Sequence, residues 1–89
     1  MSSYIVSYDL KGATPTQYET VAERIKSIGA WGKVLESTWV VVSDKSAIEI
    51  RDHISSVLSS NDRLLVVESN HEAAWFNSIC TNKWLVDNI

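Results

Sequence analysis

An α+β sandwich, with one four-stranded antiparallel sheet and two helices on one face, is predicted by three features of the 89-residue sequence. Four short segments rich in β-branched and aromatic residues alternate with two amphipathic stretches. Those stretches follow the first and third of the segments. No glycine- or proline-rich interval divides the chain, which holds three glycines and one proline. So short a chain buries only roughly 60% of its unfolded surface, so residues 1–89 are expected to form one domain and any second role to come from an oligomer.

The segment Ser3-Tyr4-Ile5-Val6-Ser7-Tyr8-Asp9 precedes Lys11-Gly12 and predicts a strand ending near Asp9. Alternation puts Tyr4, Val6 and Tyr8 on one face and Ile5, Ser7 and Asp9 on the other. Thr14-Pro15-Thr16-Gln17 then combines a capping threonine, a proline at the first helical position and a glutamine at the capping-box position. Tyr18, Val21, Ala22, Ile25 and Ile28 recur at helical spacing, and Gly29 suits a left-handed cap that ends the helix. Trp31 to Glu36 and Thr38 to Ser43 read as two strands joined by a tight turn around Glu36-Ser37. Ser43 or Asp44 is expected to cap a second helix, with Ala47, Ile50, Ile54, Val57 and Leu58 as its apolar stripe. Ser59-Ser60-Asn61-Asp62 ends it, and Arg63 to Glu68, with its run Leu64-Leu65-Val66-Val67, reads as a strand buried on both faces.

From residue 3 to residue 68 the order is strand, helix, strand, strand, helix, strand, the split βαβ pattern of ferredoxin-like folds. Right-handed crossovers place the first and third strands in the centre of the sheet. Both helices then cover one face, and the other is expected to be covered by a second copy in a homodimer. Residues 69–89 form a short C-terminal extension: Ala73-Ala74-Trp75-Phe76 is an apolar patch, and Thr81 caps a last turn or two carrying Trp84, Leu85 and Ile89. This tail is expected to dock on the domain or on a partner subunit.

Composition narrows the function. Cys80 is the one cysteine, so no internal disulfide forms, and Met1-Ser2-Ser3-Tyr4 lacks the basic and apolar regions of a signal peptide. A cytoplasmic protein is expected, with no membrane partner, since no apolar run approaches a bilayer-spanning length. A formal charge of −3 and a pI near 5.2 are the wrong sign for affinity built on phosphate neutralisation, so duplex DNA is not an expected partner. Four tryptophans are the compositional oddity. An aromatic face that stacks a base contributes about 1 to 3 kcal/mol per base without a large positive charge, which suits a mononucleotide, a cyclic oligonucleotide or a short single strand.

Each candidate residue has a plain structural reading beside the functional one. Asp9 is a metal-binding residue or a strand-ending turn residue. Ser7 shares its face and assists a ligand or lines an interface. His53, four residues after Glu49 on a helix, reads as a solvated surface pair, and His71 with Glu68 and Glu72 as a polar loop. Cys80 reads as a buried structural thiol. Neither a nucleophile elbow nor a glycine-rich phosphate loop is present. Trp39 belongs to the core or an interface, whereas Trp31 and Trp75 are the tryptophans available to stack a ligand, with Lys11, Lys33 or Arg63 meeting its phosphates.

Ile5-Val6-Ser7-Tyr8-Asp9-Leu10 followed by a helix, and Leu35-Glu36-Ser37-Thr38-Trp39 followed by a second helix, resemble the Cas-two family of small dimeric CRISPR-associated subunits. They are similar too to the SinR-family and virulence-associated protein D-like proteins that share its fold. The resemblance covers about residues 3 to 68 and rests chiefly on Tyr8-Asp9 and on the Ser37-Thr38-Trp39 start of the third strand. It implies a ferredoxin-like homodimer in which Asp9, flanked by the candidate ligand-binding residues Ser7 and Tyr8, meets its symmetry mate near the two-fold axis. The two carboxylates would share one magnesium or manganese ion that activates water for phosphodiester hydrolysis. Nuclease members of the family tend to carry arginines shortly after the aspartate, whereas this chain has none before Arg24.

Three functions follow as expectations. The first is a homodimeric, nucleic-acid-associated protein whose phosphodiesterase activity, if it is an enzyme at all, is a weak metal-dependent endoribonuclease centred on paired Asp9. The second is a non-catalytic module that senses or sequesters a nucleotide signal. The third is an adaptor acting through its edge strand and apolar tail.

Overall fold

The computed structural model describes residues 1–89. Strand β1 (Ser2–Asp9) leads into helix α1 (Pro15–Lys26), then the hairpin β2 (Ala30–Leu35) and β3 (Thr38–Ser43). Helix α2 (Ala47–Ser55), strand β4 (Arg63–Glu68) and helix α3 (Asn82–Asn88) follow. The four strands make one open antiparallel sheet in the order β2-β3-β1-β4, with the first and third strands in the centre as the crossover rule predicts.

Helix starts follow local hydrogen-bond chemistry. Thr14 Oγ1 accepts from the Gln17 amide at 3.3 Å while Gln17 Oε1 accepts from the Thr14 amide at 2.7 Å, the reciprocal box read from the sequence. The second helix is capped by Ser46, not by Ser43 or Asp44. Ser46 Oγ accepts from the Glu49 amide at 3.2 Å, and Glu49 Oε1 accepts from the Ser46 amide at 3.0 Å. Ser43 is instead the buried last residue of β3, its hydroxyl accepting from the Lys45 amide at 3.0 Å. With Ser56 as the C-cap, Val57 and Leu58 lie beyond the helix.

Gly29 does not adopt the left-handed conformation expected of it; among the glycines only Gly12 has a positive φ, 63°. A Cβ on Gly29 would stand 2.2 Å from the Val42 carbonyl oxygen, so the close approach of the α1–β2 connection to β3 is what demands glycine.

The core lies between the sheet and the first two helices. Tyr4, Val6 and Tyr8 of β1 and Trp39 and Val41 of β3 pack with Val21 and Ile25 of α1 and Ile50 and Ile54 of α2. Arg24 joins the helices, its Nε donating to the His53 carbonyl and its Nη2 to Ser56 Oγ, each at 2.8 Å.

Where two helices and a short extension are expected, the structure has three helices. The extension turns back over the second face of the sheet. The Ile79 and Cys80 amides donate to the Val34 and Lys33 carbonyls of β2, each at 2.9 Å. Thr81 then caps α3, Leu85 is buried, Trp84 sits over Gly32, and Ser3 Oγ bonds to the Asn88 carbonyl. The cover stops short of β4, and the expectation that this strand is buried on both faces fails. Leu64 and Val66 pack on the core, but Leu65 is 59% and Val67 45% exposed, because β4 is an edge strand that neither layer fully covers.

Candidate functional site

The C-terminal end of β1 gathers four of the polar residues that the sequence singles out, Ser7, Asp9, Lys11 and Arg63. Antiparallel register sets Asp9 opposite Arg63, and Asp9 Oδ2 lies 4.0 Å from Arg63 Nη1. Both side chains are exposed, so water screens the pair and it contributes little to stability. Ser7, opposite Leu65 in the register, bonds to Thr38 Oγ1 at 3.0 Å. Ser7, Tyr8, Asp9, Arg63, Leu64 and Leu65 line one shallow depression. Asp62 anchors its rim by accepting from the Lys11 amide and the Ser59 amide, each at 2.9 Å, and these two bonds hold its carboxyl below the usual carboxylate range. The Lys11 backbone is thereby tied beside Arg63, which the register sets opposite Asp9 at the same end of the sheet.

In one copy of the chain no group of three or more histidine, cysteine, aspartate or glutamate side chains comes together. Magnesium is bound in many sites by only one or two carboxylates with water completing its shell, and Asp9 supplies one exposed carboxylate. The donor set of a single chain therefore fits a divalent ion only weakly. The Glu68, His71 and Glu72 trio does not converge. His71 instead places Nδ1 3.1 Å from the Ile89 carbonyl, tying the tail to its own end.

The other named residues are elsewhere. Tyr8, which also borders that depression, carries its ring into the core. Its ring is on the helix side, 6% exposed, and its hydroxyl accepts from Trp39 Nε1 at 3.1 Å. Burial raises its pKa, outweighing the hydrogen bond from Trp39, so the phenol stays neutral. Trp31 and Lys33 occupy the other edge of the sheet. The Trp31 ring is 5.4 Å from that of Trp39, with Lys26 Nζ 4.8 Å over its centroid. Lys33 Nζ stands 5.8 Å over Trp39 and 3.8 Å from Glu36 Oε2. Trp75 lies in the tail, its Nε1 donating to Asn82 Oδ1 at 3.0 Å beside an apolar cavity of about 320 Å³ that Ile5, Val40 and Leu85 help to line.

His53 and Glu49 do not form the surface pair that their spacing suggests. Glu49 serves the α2 cap, and His53 Nε2 is 2.8 Å from Ser27 Oγ of the neighbouring helix end. Burial, then Arg24 and Lys45, lowers the His53 pKa. Cys80 is half-buried, its amide committed to the β2 edge.

Sequence reasoning missed a concavity between α1 and the β2–β3 turn, where Tyr18, Lys33, Glu36 and Ser37 join Tyr8 and Trp39. The available signal was Tyr18, an aromatic at the start of the α1 stripe that only a neighbouring sheet edge could cover.

No helix is long and apolar enough to cross a membrane. No family model matches the chain. The fold is similar to the crystal structure of a hypothetical protein TT1823 from Thermus thermophilus, with a TM-score of 0.66 over 84% of this chain and 89% of that one at 19% identity. At that identity the likeness carries the fold alone: a small α+β domain with an open four-stranded antiparallel sheet.

Proposed function

We propose that the protein is a homodimeric, ferredoxin-like, nucleic-acid-associated subunit similar to the Cas-two family, in which any phosphodiesterase activity is weak, metal-dependent and centred on paired Asp9. The observation that supports this reading is the position of Asp9. It stands exposed on the sheet face that α1 and α2 do not cover, beside an uncovered apolar strip made by Leu65 and Val67. The strand order β2-β3-β1-β4 supports the ferredoxin-like reading of the core.

A second copy packed on the strip removes Leu65 and Val67 from water and brings two carboxylates to one side of the dimer. A divalent ion held there by the two Asp9 carboxylates would supply an activated water for attack on a phosphodiester. The residues of the chain do the rest. Asp9 would hold the ion through its carboxylate, Arg63 would exchange its exposed contact with Asp9 for a backbone phosphate, and Lys11 would meet a neighbouring phosphate. A net charge of −3 favours a short single strand over a duplex.

Incubation of single-stranded RNA with the protein in magnesium or manganese tests the chemistry. Slow cleavage that chelator stops and Asp9→Asn abolishes, with the fold intact, is the expected result. Cleavage that survives Asp9→Asn, or no metal-dependent cleavage at all, removes the catalytic part of the proposal.

A further inference from the structure

The concavity on the helix side of the sheet has the features of a ligand site and owes nothing to Asp9 or to self-association. It is a half-open hollow of about 400 Å³ between α1 and the β2–β3 turn, inside the range of about 300–1,000 Å³ typical of small-molecule sites. Tyr8 and Trp39 are its buried members, while Tyr18 is 42% exposed. The Tyr8 hydroxyl accepts the Trp39 indole proton at 3.1 Å and donates to no other group of the chain. A phenol that is 6% exposed therefore brings an uncommitted donor to the cavity it lines. Tyr18 and Glu36 are near enough to this hydroxyl to add to the rise of its pKa, consistent with its facing their side of the cavity.

Chemistry at the opening narrows the ligand class. Lys33 and Glu36, 3.8 Å apart, present one donor group and one acceptor group side by side, and Ser37 adds a hydroxyl. Tyr18 offers an aromatic face to a planar ring. A nucleobase meets all of these at once. It is flat, carries a carbonyl oxygen or ring nitrogen that accepts from Tyr8, and shows mixed donors and acceptors on its remaining edges. A single nearby lysine suits one phosphate and not a polyanionic backbone.

We propose that this cavity binds the base of a single nucleotide, with Tyr8 donating to a base acceptor, Tyr18 stacking on the ring and Lys33 released from Glu36 to meet the phosphate.

Titration of the protein with the four ribonucleoside 5′-monophosphates, followed by calorimetry and tryptophan fluorescence, tests the assignment. The expected result is saturable binding of at least one of them, one per chain. Tyr8→Phe weakens it by about tenfold, as loss of one hydrogen bond in a buried site does. Ala22→Leu, which places bulk in the lining, abolishes it, and Asp9→Asn binds as the wild type does. Should either core-facing variant fail to fold, Tyr18→Ala, at a half-exposed position, decides the matter by losing affinity with an unchanged melting profile. Absence of saturable binding to all four nucleotides overturns the proposal. So does binding indifferent to Tyr18→Ala, and so does binding lost in Asp9→Asn, which would move the ligand to the end of β1.

Discussion

Trp84 lies so close over Gly32 that a Cβ built on the glycine would come within 2.6 Å of Cε3 and Cζ3 of the indole. Through this contact the tail closes one half of the second sheet face, and it leaves the β4 half to Leu65 and Val67. Gly32→Ala is expected to push the indole off β2 and to cost about 1–3 kcal/mol, the usual range for overpacking a close contact. Thermal melts together with tryptophan emission read both effects. An unchanged midpoint with an unshifted emission maximum would show that Trp84 is not seated there.

The capping boxes give a sharper comparison. Thr14→Ala and Ser46→Ala are each expected to cost about 1 kcal/mol, a midpoint shift of about 4–8 °C for a domain of this size. Asp44→Ala, whose side chain makes only an exposed contact with the Met1 amine at 3.8 Å, is expected to stay within about 0.5 kcal/mol of the wild type. Equal losses at Asp44 and Ser46 would contradict the assignment of the α2 cap.

Acid should destabilise the fold in two stages. The His53 pKa is lowered chiefly by burial, so the folded chain prefers the neutral ring. That contribution is complete above the ordinary histidine value and is lost as pH falls below it. Asp62 and Glu49 are lowered by hydrogen bonds from backbone amides, and their contribution is lost only as pH falls through the carboxylate range. Urea midpoints at about pH 7.5, 5.5 and 3.5 separate the stages. His53→Gln is expected to flatten the first interval and Asp62→Asn the second. The reverse pattern would refute the attribution.

Much of the fold was legible in the sequence because the signals were local. The box Thr14-x-x-Gln17 needs only four residues, and Trp39 in a β-branched run can hardly be exposed. Ser46-x-x-Glu49 carried the same signal for α2, but Ser43 and Asp44 stood nearer the strand and obscured it. Gly29 was misread because sequence does not distinguish a glycine needed for φ from one needed for close approach. Leu65 and Val67 were misread because an edge strand and a central strand share one composition, and only the sheet order separates them.

The candidate site was legible in pieces. Asp9, Lys11 and Arg63 each stood out, but their meeting depends on the β1–β4 register and on Asp62 anchoring the turn. The alternation that put Tyr8 with Tyr4 and Val6 already set it on the face opposite Asp9, and the structure follows that alternation. The Tyr8, Tyr18 and Trp39 cavity joins three elements distant in sequence, and no local pattern encodes it.

The proposed shared Asp9 site requires self-association through the Leu65–Val67 face, and sedimentation equilibrium of the wild type and of Leu65→Asp over a range of concentrations measures it. The expected result is a wild-type mass that rises to that of a dimer, with a thermal midpoint rising alongside it, and a folded Leu65→Asp variant that stays monomeric. A wild type that remains a monomer throughout, or a Leu65→Asp variant that dimerises as well as the wild type, would contradict it.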